Sequence, residues 1–265
     1  MQTVRINKIS YLQPDWVEAS AIVAGFSTRN GGSSRPPFNS LNLGLHTGDL
    51  AAHVEANRAA LTSVFALPPH LLLTVNQVHG DRILIIDRPN QDLSHFQRVD
   101  ADAIVTNQSG MLIGILVADC FPVLLWSRQA GVVAAVHVGW RGAAAGLLGH
   151  TVQAMQQQFG VRPERLYAAV GPGIGAHSYE VDRPVRDAFR QGAGNWERIA
   201  RETRLGHWQL DLQQSCLLQL QAAGVADAHI DLVRECTCCT RETFFSYRRD
   251  QGRTGRQMGF IMLRD

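Results

Sequence analysis

Residues 111–138, MLIGILVADCFPVLLWSRQAGVVAAVHV, decide the fold. Residues 111–126 are the longest apolar run of the chain, but Asp119 and Pro122 interrupt it and it is too short to span a bilayer. The run reads as a pair of core strands or a strand with its turn, and GVVAAVH at 131–137 reads as a further buried strand. An earlier segment, LLLTVNQVH at 71–79, has the same character. Each segment ends on a potential soft metal ligand, His79, Cys120 or His137, followed by a Pro- or Gly-containing turn. A His or Cys at a strand end points its side chain at the rim of a sheet. One buried Cys or His is unremarkable, but three such endings within residues 79–137 point to a metal. Two imidazoles and one thiolate supply three corners of a zinc tetrahedron and leave the fourth for water or substrate, the arrangement of a catalytic site.

Outward from this core, strands are expected near 20–28, 71–78, 82–87, 102–106, 112–118 and 132–138. The segment 50–65 fits a helix with Asp49 as N-cap, and Ala-rich 143–159, stopped by Gly160, fits another. LYAAV at 166–170 is a strand running into GPGIG at 171–175. Helix-like sequence follows from about residue 182 and again over 210–223, then strands near 230–234, 243–248 and 257–263. Helices and strands alternate irregularly, so the expected class is α+β, with mixed β-sheets covered by helices in one domain over residues 1–265.

The chain of 265 residues is 45% hydrophobic and 18% charged, with a net charge of +2. Its Lys and Arg are dispersed, which argues against nucleic acid as a partner. The N-terminus MQTVRINKISYLQPDW lacks the apolar centre of a signal peptide, and no membrane association is expected. Five cysteines, an odd count without an export signal, fit reduced thiols in a cytoplasm. The run CTCC at 236–239 lacks a paired CxxC or a nearby His at finger spacing. Read as a strand, it turns Cys238 and Cys239 to opposite faces, so a structural zinc is not expected there.

Residues 29–49 form a Gly-, Pro- and Asn-rich loop, and Arg29, Asn42 and His46 on it are candidates for substrate contact. In GWRG, 139–142, backbone N–H groups and Arg141 form a candidate anion site. GPGIG lacks both a phosphate-loop lysine and dinucleotide spacing, so it reads as a rigid turn. Asp119 faces away from Cys120 and is read as a supporting residue. His177 and Glu180 read as ordinary polar residues, and RRD at 248–250 reads as a charged turn whose arginines could meet an acidic ligand.

FSTRNGGSS, NSLNLGLHTGD, NQVHGD, VADCFPVLL, AVHVGWRGAAAG, GPGIG…YEV and FFSYRRDQGRTGR, in that order, resemble the YfiH family over nearly the whole chain. Members have been called laccase-domain or polyphenol oxidase proteins and, more recently, purine nucleoside phosphorylases. The resemblance implies a YfiH-like layered α/β fold and zinc ligands at His79, Cys120 and His137, which are also the catalytic residues. It implies a cytoplasmic, monomeric enzyme that uses phosphate on adenosine, inosine and S-methyl-5′-thioadenosine, with adenosine deamination besides. Residues 176–178 (AHS) and the extra thiols of CTCC depart from the family pattern. Two other readings stay open. Cys120 with His137 as base is the dyad of a cysteine-type amide hydrolase, linked in related members to peptidoglycan-precursor editing. Copper binds most N/S sites tightly in vitro, but the ten His include no His-x-His pair of the kind multicopper oxidases use.

Overall fold

The strands Phe121–Ser127 and Val132–Val138 are buried along their whole length, because both faces of their sheet are covered; hence they read as unbroken apolar runs. Alternate residues divide between two cores. Val123, Leu125, Val132, Ala134 and Val136 pack under the helices Leu147–Phe159 and Leu212–Ala222. Leu124, Trp126, Val133 and Ala135 meet a second sheet through its residues Ile22, Phe26, Ile113, Ile115 and Ile261. The outer face of that second sheet packs Tyr11, Leu112, Met258 and Phe260 against Leu61 of the helix Ala51–Ser63. The layers are therefore helix, sheet, sheet, helix.

The computed structural model describes residues 1–89, 93–193 and 195–264. One six-stranded sheet runs Gln2–Ile6, Ile9–Gln13, Ile22–Ser27, Gln257–Leu263, Leu112–Val117, Leu72–Leu73. The other runs Ile230–Leu232, Tyr167–Val170, Phe121–Ser127, Val132–Val138, Ala103–Thr106, Ile83–Ile86. Each mixes parallel and antiparallel pairs. A third, three-stranded sheet holds Glu180–Asp182, His207–Leu210 and Ala200–Arg204. The α+β class and the mixed sheets under helices agree with the sequence reading. No helix among the described residues is long and apolar enough to cross a membrane.

Four local differences from the sequence reading have side-chain causes. The strand expected over 71–78 ends at Leu73, because the Gln77 amide bonds both the N–H and the C=O of Leu116 at 2.8 Å and takes the place of a backbone ladder. The strand expected at 243–248 does not form. There the Gln257 amide bonds the N–H and C=O of Phe245, and Arg249 donates to the carbonyls of Thr237 and Phe244. Asp49 does not cap the helix Ala51–Ser63; its carboxylate accepts from the Asn42 amide and from the adjacent Leu50 N–H. The helix expected over 143–159 is split into Trp140–Ala144 and Leu147–Phe159 at Gly146, whose φ is +79°.

The split gives a paired test. A Cβ on Gly146 would stand 2.9 Å from the Cβ of Ala193, in a left-handed conformation that disfavours side chains. Gly149, inside the second helix, has nothing within 4 Å of such a Cβ. Urea unfolding should show Gly146→Ala losing about 1–2 kcal/mol and Gly149→Ala gaining about 0.5–1 kcal/mol. Stabilisation by both would mean that a continuous helix is accessible.

Candidate metal centre

Cys120 lies where the chain crosses between the sheets, after Leu112–Val117 of one and just before Phe121–Ser127 of the other. Phe121 pairs with Val138 and Pro122 with His137, so the thiol emerges beside the end of the neighbouring strand. The alternation that sends Val136 and Val138 toward the helices turns His137 to the inter-sheet side, at the open end of the sandwich. His79 is not at a strand end as the sequence suggested. It sits in a loop with φ +60°, a left-handed conformation that needs support from elsewhere in the structure.

That support is Asp102, which the sequence reading passed over. Its fully buried carboxylate accepts the backbone N–H groups of Val78 (3.3 Å), His79 (3.0 Å) and Gly80 (2.7 Å). The same carboxylate takes His137 Nδ1 at 2.7 Å. A carboxylate can only accept here, so Nδ1 carries the proton and Nε2 offers its lone pair to the centre. Cys120 Sγ lies 4.0 Å from His79 Nε2, the two imidazole rings are 4.7 Å apart, and all three donor atoms fall within 4.8 Å of one another. Gly139 passes so close that a Cβ there would stand 3.2 Å from both Cys120 Sγ and His79 Cδ2. One thiolate and two imidazoles, one of them oriented by a carboxylate, fit a tetrahedral zinc with one open position.

The electrostatics agree. Burial pushes the Cys120 thiol up, but the charge and hydrogen bond of His137, with help from His79, bring it down to about 6. Burial also lowers His137, yet the Cys120 thiolate and the Asp102 carboxylate raise it to about 9. Without a metal the pair is thus a Cys120 thiolate beside a His137 imidazolium; a metal would use the thiolate and displace the Nε2 proton of His137.

The cluster opens into a cleft of about 660 Å³ lined by His46, Tyr179, Tyr247 and three arginines, Arg58, Arg248 and Arg256. Asp119, with φ +94°, lines it too, and its carboxylate is fully engaged by Thr237 Oγ1 and the Arg248 N–H, both at 2.7 Å. Of the four candidate contact residues, His46 lines this cleft and Arg29, Asn42 and Arg141 do not. Arg29 donates to the carbonyls of Asn39 and Arg241, covers the Phe245 ring at 4.7 Å and lines a different cleft with Arg241 and Arg253. Asn42 is fully buried; its amide binds Thr47 and Asp49 and its Oδ1 accepts the Arg256 N–H, so it positions the loop and Arg256. Arg141 is exposed and stacks over Trp140 at 4.2 Å, although its charge is felt at Tyr179. The helix that GWRG opens is only five residues long, which weakens it as an anion site. His46 is where the sequence suggested, and Arg248 was visible in the RRD run.

Residues 23–264 match the model of a family described as multi-copper polyphenol oxidoreductase laccase. The chain is 40% identical over 248 residues to "Purine nucleoside phosphorylase YlmD" of Geobacillus stearothermophilus, covering 92% of this chain and 90% of that one. It is 39% identical over 254 residues to "Purine nucleoside phosphorylase YfiH" of Escherichia coli, covering 94% and 97%. The crystal structure of Bacillus licheniformis hypothetical protein YfiH superposes with a TM-score of 0.91 at 32% identity, covering 98% of this chain and 97% of that one. The crystal structure of YlmD from Geobacillus stearothermophilus gives 0.87 at 37%, covering 96% and 99%.

Two measurements probe the centre. Asp102→Asn keeps the side chain's shape but removes the charge and some of its accepting capacity, so zinc affinity by chelator competition should fall ~10- to 100-fold. Unchanged affinity would show that Asp102 does not orient the ligands. In metal-free protein, alkylation of Cys120, followed by peptide mass spectrometry, should be half-maximal near pH 6, the pKa to which its neighbours lower it. Above that pH the thiolate persists, and below it the thiol is protonated and slow. A midpoint at the ordinary thiol value of about 8.5 would contradict the pairing with His137.

Proposed function

The chain belongs to the YfiH family, whose family model is described as a multi-copper polyphenol oxidoreductase laccase and whose relatives carry the name purine nucleoside phosphorylase, and we propose that it is a zinc-dependent purine nucleoside phosphorylase. The substrates in this reading are inosine, adenosine and S-methyl-5′-thioadenosine with phosphate, in a cytoplasmic setting, with adenosine deamination as a further activity. One observation carries it: among the described residues, the cleft over the His79, Cys120, His137 cluster is lined by three guanidiniums and a single carboxylate, Asp119, which is already bonded. Such a cleft favours an anionic co-substrate.

Arg256 is the best-placed of the three. Burial lowers its pKa, while the charge of Cys120 acts back on it and raises it, so the guanidinium and the thiolate share one field. Its Nη1 is held by the carbonyls of Thr254 and Gly255, which fixes the fork before substrate arrives. In phosphorolysis a phosphate oxygen bonds the anomeric carbon while the purine leaves with the electrons of the glycosidic bond. Arg256 and Arg58 neutralise the phosphate, and Tyr247, 55% exposed at the cleft mouth, offers a face for the base. Bound zinc would supply a Lewis acid and a means of activating water.

A centre of one thiolate and two imidazoles, His79, Cys120 and His137, supports zinc over multicopper chemistry. Among the described residues no histidine-rich multinuclear cluster accompanies it. The aligned Cys120, His137 and Asp102 also resemble a cysteine hydrolase. Against that reading, a dyad has no use for His79, which the loop presents to the thiol in a left-handed conformation.

Arg256→Met retains the packed stem and removes the charge. Losing one charge-assisted contact worth about 1.5–3 kcal/mol should raise the phosphate requirement for inosine cleavage ~10- to 150-fold. The product should be ribose 1-phosphate, and Arg141→Ala should have the smaller effect. Free ribose as the product, or an unchanged phosphate dependence in Arg256→Met, would overturn the assignment.

A further inference from the structure

A second group of soft ligands lies outside the cleft. CTCC does not run as a strand; residues 236–239 form a turn closed by N–H donation from Cys239 and Thr240 to the Cys236 carbonyl at 3.2 and 2.9 Å. In a strand Cys236 and Cys239 would face opposite sides, whereas the turn brings both sulfurs to one side. The loop after Tyr167–Val170 then supplies a histidine from 62 residues earlier: His177 Nε2 is 3.1 Å from Cys239 Sγ. All three donor atoms lie within 4.8 Å of one another.

The loop and the turn are fastened together independently of these side chains. Gly173 bridges Cys236, and the Thr237 N–H donates to the Gly173 carbonyl at 2.9 Å. The Gly175 N–H donates to Cys236 Sγ at 3.1 Å, the kind of amide-to-sulfur bond that favours a thiolate. Ser178 Oγ stands 3.3 Å from Cys239 Sγ and 3.8 Å from Cys236 Sγ. Gly175 is constrained by this packing, since a Cβ on it would meet His177 Cε1 at 2.8 Å and the Cys236 Cβ at 3.2 Å. Cys236 is buried, while His177 and Cys239 are exposed, so a metal can reach the cluster from solvent.

We propose that His177, Cys236 and Cys239 form a second binding site for zinc or another soft divalent ion, distinct from the His79, Cys120, His137 centre. In a zinc tetrahedron sulfur and nitrogen donors stand about 3.5–3.8 Å apart, a spacing the three side chains reach by small rotations. Water completes the exposed fourth position. None of the three ligands lines the catalytic cleft, but Ile174 and Tyr179 on either side of His177 do. The ion would tie that cleft-lining loop to the turn at 236–239, which makes its role one of holding shape.

The test is metal content, read by elemental analysis on protein purified from zinc-supplied cells under a phosphine reductant. The unsubstituted protein should hold two zinc ions per chain, Cys120→Ala one, Cys239→Ser one, His177→Ala one, and Cys120→Ala with Cys239→Ser none. Cys238→Ser, which alters a thiol outside the cluster, should keep both. Circular dichroism should show each variant folded, since His177 and Cys239 are exposed and Cys120 is only partly buried. In Cys120→Ala loaded with Co²⁺, a tetrahedral ligand-field spectrum with thiolate charge transfer should appear, and Cys239→Ser should abolish it. The proposal is overturned if Cys239→Ser and His177→Ala retain the full metal content, or if Cys120→Ala alone empties the protein.

Discussion

The carboxylate of Asp102 is the constraint on which the candidate centre depends. It holds one histidine through its ring and the other through its backbone. Without it the 78–80 loop would have three N–H groups to satisfy elsewhere, and His79 would lose the bonds that hold its left-handed backbone. Hydrogen bonds to a charged acceptor contribute about 1.5–3 kcal/mol each, so together they can sustain a conformation that costs roughly 1–2 kcal/mol. The backbone of Asp102 joins in, with its carbonyl accepting the His137 N–H at 2.7 Å. Two ligands from different parts of the chain are thereby referred to a single residue at the start of Ala103–Thr106.

The third ligand is positioned by topology. Cys120 stands on the short link that leaves one sheet for the other, and Asp119 fixes that link by accepting from Thr237 and Arg248 and by giving its carbonyl to the Ile174 N–H. Three loops are so drawn to one end of the sandwich. That end, unlike the packed interior between the sheets, has room for a substrate. Arg256 is brought there in the same way, by Asn42 holding its N–H. The residues that shape the cleft therefore come from both ends of the sequence and meet over the candidate metal ligands.

Much of this was legible in the chain. The buried strands around Cys120 and His137 were visible because double burial leaves uninterrupted Val, Ile and Leu, and the ligand triplet stood out against that background. Less was legible where side chains replace backbone partners. Gln77 and Gln257 end or prevent strands that apolar composition alone suggests. The hairpins Gln2–Ile6 with Ile9–Gln13 and Ala200–Arg204 with His207–Leu210 escaped notice because their exposed faces dilute the alternation. Asp102 carried no local signal, since its partners lie 22 to 35 residues away. Arg29 and Asn42 were singled out from loop composition, which reports that a segment is irregular but not where its side chains go.

The central claim is that a metal held by His79, Cys120 and His137 serves phosphate-dependent nucleoside cleavage in the arginine-lined cleft. It is tested most directly by following hypoxanthine release from inosine and phosphate with protein stripped by a chelator, then resupplied with zinc. The account predicts that stripping abolishes turnover, that zinc restores it, and that ribose 1-phosphate accumulates in step with the base. Undiminished turnover by the stripped protein would contradict the account and favour a metal-independent Cys120 and His137 pair.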